Sequence, residues 1–160
     1  MNERELGSSL KGKIAATLIG MGCAQGSNGG INFASPFVDD DGVDLIFFRK
    51  GGSGKAILAQ VKSRTMKSKL LSQGTFRVQV RRANFKPGEG YYFIFVALDE
   101  SGKGLHDALW FIPSVDFERK LAGQTNEKVL VFQSMFNSRD MWKQYRMSLD
   151  ELPRRIAQIL

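Results

Sequence analysis

The chain has 160 residues, 42% of them hydrophobic, and 23 Lys and Arg against 16 Asp and Glu give a net charge of +7. That is enough apolar material for one core over residues 1–160 without disulfide or metal staples, and the basic excess favours a polyanionic partner. No apolar run is long enough to span a bilayer, no signal-peptide pattern opens the chain, and one cysteine (Cys23) and one histidine (His106) leave an internal disulfide, a zinc site or a Ser-His-Asp triad without their parts. A reduced, cytoplasmic setting is the expectation.

Residues 4–21 read as a helix with Leu6, Leu10, Ile14, Leu18 and Met21 on one stripe, ended by Gly20, Gly22 and Gly26. Residues 24–32 read as a Gly-rich loop whose spacing fits no phosphate-binding motif. Three strands follow at 32–38, 43–49 and 56–64, the last two joined by a turn holding Gly51, Gly52 and Gly54 and so predicted as a hairpin. Residues 75–80 alternate, as a fourth strand or a bridge into a short helix at 81–86. The apolar and aromatic run Tyr91–Leu98 is predicted as a central strand. A strand at 109–112, a helix over 113–121 and a strand at 128–132 come next, with His106 in a loop. A polar stretch then carries Trp142, Tyr145 and Arg146, which either stack on bases or cover a sheet edge. Residues 148–160 read as a final helix with Leu149, Leu152, Ile156 and Ile159 on one face and Ser148 and Glu151 at capping-box spacing. The fold class is therefore α/β, a mixed sheet flanked by helices.

The chemistry concentrates between Pro36 and Arg64. Asp39, Asp40, Asp41 and Asp44 stand at the mouth of one apolar strand, and Gln60 and Lys62 lie two apart on the next. Side chains alternate along a strand, so Gln60 and Lys62 share a face. The hairpin brings Asp44 towards them. A carboxylate, an amide oxygen and an ammonium at one point suit metal-assisted phosphodiester hydrolysis. The carboxylate holds a hard cation such as Mg²⁺ or Mn²⁺, and the lysine orients a water or neutralises charge growing on the phosphate. The alternative is an ordinary two-stranded edge with surface charges.

Asp44 followed by Gln60-Val61-Lys62 resembles the core of the PD-(D/E)xK phosphodiesterases, a superfamily with the restriction-endonuclease-like fold that includes Holliday-junction resolvases. This chain resembles the subset in which Gln replaces the second acid. The resemblance covers about residues 5–98. It implies that Asp44 ligates Mg²⁺, that Gln60 and the Val61 carbonyl complete the shell, and that Lys62 positions or activates the attacking water. It further implies DNA as substrate, branched or structured DNA included, and a homodimer as the common assembly of the group.

The family's first helix usually supplies one more carboxylate, whereas Lys11 and Lys13 occupy that neighbourhood here. Glu3, on the stripe of Leu6, Leu10 and Ile14, and Asp41 are the second-rank ligands. Cations gather after the acids, and Arg64, Lys67, Lys69, Arg81 and Arg82 are the expected nucleic-acid contacts. The functional expectation is a Mg²⁺-dependent nuclease. Its rivals are a catalytically inactive nucleic-acid-binding module on the same fold and a partner-binding protein.

Overall fold

Gly20 and Gly22 do not end the first helix. In the computed structural model, which describes residues 7–37, 42–52, 54–67, 74–136 and 139–160, helix α1 runs through both of them from Ser8 to Gly26. Gly20 is there for closeness: a Cβ on it would sit 2.6 Å from the Phe33 ring. The buried stripe of α1 is Ala15, Ala16, Ile19 and Cys23, and Leu10 and Met21 stay about half exposed. The predicted stripe of large residues is therefore not the one that meets the sheet. Small residues take that face because the helix lies close on the strands. The placement of Glu3 towards the sheet rested on the large-residue stripe and loses that support; Glu3, Asp41 and Lys69 all lie outside the described residues.

Strands β1 (Ile31–Ala34), β2 (Leu45–Arg49) and β3 (Ala56–Thr65) form an antiparallel meander, and the predicted hairpin stands in the register Leu45–Ala59 to Phe48–Ala56. β3 then pairs in parallel with β5 (Tyr91–Leu98), Gln60 opposite Phe93. β6 (Leu105–Pro113) and the two-residue β8 (Arg146–Met147) complete a mixed six-stranded sheet in the order β1-β2-β3-β5-β6-β8. The predicted strand 75–80 exists as β4 (Phe76–Arg81), but it leaves the main sheet and pairs with β7 (Val129–Ser134) in a sheet of two. The helix expected at 81–86 is a single 3₁₀ turn, Arg82–Asn84. His106 lies on β6 rather than in a loop, its Nε2 2.9 Å from the Met66 carbonyl.

β5 is buried along nearly its whole length because both faces of the sheet are covered. On one face Leu45, Phe47, Ala59, Val61, Ile94 and Val96 pack with α1 and with α3 (Glu151–Ile159) through Leu152 and Ile156. On the other face Phe93, Phe95, Trp110 and Ile112 pack with β4, β7 and Phe117 of α2 (Ser114–Lys120). The Phe95 and Phe132 rings stack at 3.9 Å, 3° from parallel, and join the small sheet to the large one. Trp142 is 1% exposed and Tyr145 8%, both in this second core. Base stacking by these two rings is therefore excluded. Before α3, the Ser148 N–H and hydroxyl both donate to Glu151 Oε2, which depresses the Glu151 carboxyl below its usual range. This is the predicted capping pair with the serine hydroxyl donating.

Candidate functional site

β2 begins one pairing short of the residues that matter. Its ladder with β3 starts at Leu45–Ala59, yet the Asp44 N–H also donates to the Ala59 carbonyl at 2.9 Å. This bond carries the contact with β3 one residue ahead of the ladder. Asp44 Oδ2 accepts the Val61 N–H at 2.7 Å, and the Ser35 hydroxyl donates to the Asp44 carbonyl at 3.0 Å. The residue is pinned from β1 and β3 together. Because a strand residue's N–H and C=O point to the same side, the Val61 carbonyl faces the same gap as the Asp44 carboxylate, beyond the start of β2.

This gap opens into a cavity of about 460 Å³. Ser35, Pro36, Val43 and Asp44 form one wall, and Val61, Lys62 and Ser63 another. Ser9, Gly12, Lys13, Ala16 and Thr17 of α1 form the third. Asp44 and Lys62, the two charged members of the predicted triad, thus share one cavity. Gln60 does not line it. Its side chain is 2% exposed on the face opposite Ala59 and Val61, and its Nε2 lies 2.7 Å from where a Cβ on Gly42 would stand. Its Oε1 is buried and has no hydrogen-bond partner among the described residues. The Tyr91 hydroxyl donates to the Gly42 carbonyl at 3.2 Å and ties this loop to β5.

The predicted basic field divides. Lys67 and Arg81 are exposed. Arg64 Nη1 donates to the Arg77 carbonyl at 3.2 Å, which links β3 to β4. Arg82 is committed to the fold, its Nε donating to Asn126 O and its Nη2 to Gln124 O, both at 2.7 Å. The α1 wall was missed from the sequence, although a signal existed. Ser9, Gly12, Lys13, Ala16 and Thr17 follow the i, i+3, i+4, i+7, i+8 spacing of one helix face and are mostly small.

The donors fit a hard cation only sparingly. Carboxylate, amide and carbonyl oxygens are the ligand types Mg²⁺ takes, and a buried amide oxygen lacking a partner is one a cation satisfies. Among the described residues no three His, Cys, Asp or Glu side chains converge. No described helix is long and apolar enough to cross a membrane.

No protein-family model and no curated protein matches the sequence. A solved structure does. The chain is similar to a bacterial homing endonuclease at a TM-score of 0.55 and 20% identity, over 96% of this chain and 95% of that one. The chain shares the fold of that protein.

Proposed function

We propose that the protein is a divalent-metal-dependent nuclease of the PD-(D/E)xK type, in the QxK variant, that hydrolyses DNA phosphodiester bonds at the Asp44 cavity. The observation that carries this reading is the junction of Asp44, the Val61 carbonyl edge and Lys62 at the mouth of a β2–β3 hairpin, in a chain that is similar over 96% of its length to a homing endonuclease. Asp44 and Val61 O would hold Mg²⁺ or Mn²⁺ with waters filling the rest of the shell, and Gln60, buried on the opposite face, stands outside it. The cation supplies charge stabilisation for the phosphate and lowers the pKa of a bound water. Lys62 orients that water or neutralises the charge that develops on the phosphate. Branched DNA stays among the proposed substrates on the resemblance alone, and cutting both strands of a duplex calls for a homodimer with two such cavities.

A second reading has its own observation. A single carboxylate, with the neutral Gln60 buried away from the cavity, holds a cation weakly, which suits a nucleic-acid-binding module on the same fold. Incubation of the wild-type protein with linear, single-stranded and four-way-junction DNA in Mg²⁺, Mn²⁺ or Ca²⁺ separates the two. The nuclease reading expects cleavage of at least one substrate in Mg²⁺ or Mn²⁺ and binding alone in Ca²⁺. Binding without cleavage in every metal selects the module, and neither binding nor cleavage selects a partner-binding protein.

A further inference from the structure

We propose that Lys13 of α1 contacts a phosphate of the DNA backbone seated in the Asp44 cavity. This rests on the nuclease reading and adds to it a substrate-holding residue from an element where the resembled family places an acid.

Lys13 stands on the helical wall of the cavity, across from the strand wall that carries Asp44 and Lys62. The charged residues that line it, among those described, are thus Asp44 ahead of β2, Lys62 of β3 and Lys13 of α1. Lys13 is exposed, and among the described residues it makes no ion pair and its ammonium no hydrogen bond. Its backbone carbonyl accepts the Thr17 hydroxyl at 2.9 Å. Its charge is therefore not spent within the described fold, unlike those of Arg64 and Arg82. The wall beside it is low: Gly12 has nothing within 4 Å of where a Cβ would stand, and Ala16 lies beneath. A bulky backbone can approach α1 closely there.

The chemistry fits a phosphodiester. Its two non-bridging oxygens share one negative charge and point in different directions. An anion that meets Asp44 without a counter-charge is repelled, so cations must flank it. Lys62 does so from β3 and Lys13 from α1. A lysine serves phosphate as a compact point charge on a flexible stem, which tolerates the range of approach an open cavity allows.

Salt-dependent DNA binding tests the assignment. Anisotropy of a labelled duplex and a labelled junction is measured in Ca²⁺ over a range of NaCl for wild type, Lys13→Met, Lys13→Arg and Lys103→Met, the last a charge control in the turn after β5. Each phosphate contact contributes about −0.9 to the log–log slope on duplex DNA. Lys13→Met should flatten the slope by about 0.9 and weaken binding several-fold at low salt. Lys13→Arg should keep the wild-type slope, and Lys103→Met should leave slope and affinity unchanged. A Lys13→Met slope equal to wild type overturns the inference, as does an equal loss in Lys103→Met. If wild type cleaves DNA and Lys13→Met keeps the slope, this assignment alone falls. If wild type neither binds nor cleaves, the nuclease reading falls and takes it along.

Discussion

Gly42 enters the site at φ +67°, where an L side chain is strained, and a Cβ there would also sit 2.9 Å from the Asn84 carbonyl and 2.7 Å from Gln60 Nε2. Two costs coincide at one residue, backbone strain and a collision with buried groups. Gly42→Ala should lose about 1–3 kcal/mol of stability, read from urea unfolding, and should lower any cleavage by more than the folded fraction explains, because Asp44 is two residues on. Gln60 invites a sharper comparison. If its orphaned oxygen serves a cation, Gln60→Glu should tighten Mn²⁺ binding in calorimetry, since a carboxylate replaces an amide. If Gln60 only packs, the same change buries an unpaired charge, and the protein should melt lower with no gain in metal affinity. Cys23 has no part in the chemistry. Burial pushes its thiol up to about 12 from 9.0, so the folded chain disfavours the thiolate. Its contribution to stability is present in full below pH 9 and is lost as pH rises towards 12. Iodoacetamide at pH 8 should label the urea-unfolded chain and spare the native one.

Arg81 and Arg82 end β4 and begin the 3₁₀ turn, neighbours in sequence with different work. Arg82 clips the 124–126 segment with two hydrogen bonds to carbonyls, and Arg81 is exposed. Arg82→Ala should cost about 1–3 kcal/mol of stability, whereas Arg81→Ala should leave the melting temperature in place and reduce the salt slope of DNA binding. The reverse pattern would show the roles exchanged. Both residues read alike in the sequence because a count of cations records charge and not its partners. The elements themselves were more legible. The β2–β3 hairpin followed from its glycines and alternation, and β5 from an unbroken apolar run. The helix face of α1 was misread because large side chains usually mark the buried side, whereas here closeness to β1 selects Ala15, Ala16 and Gly20. The pairing of β4 with β7 joins residues about fifty apart through Phe95, Trp110 and Phe132, and local pattern carries no record of such a partner.

Across the whole molecule, two aromatic and aliphatic cores clasp one mixed sheet and leave its mouth open where β2 starts late. The net charge is +7, and Lys13 of α1 and Lys62 of β3 line that mouth together with Asp44. The motif from Asp44 to Lys62 was readable as spacing. The bond from the Val61 N–H to the Asp44 carboxylate, and the burial of Gln60 away from the cavity, were not. The nuclease account is tested most directly by metal-dependent cleavage with wild type, Asp44→Ala and Lys62→Ala side by side, each checked for folding by thermal melting. Asp44→Ala should lose cleavage by at least about 100-fold together with Mn²⁺ binding, and Lys62→Ala should lose cleavage to a similar extent while keeping Mn²⁺. Cleavage by folded Asp44→Ala at the wild-type rate would contradict the account.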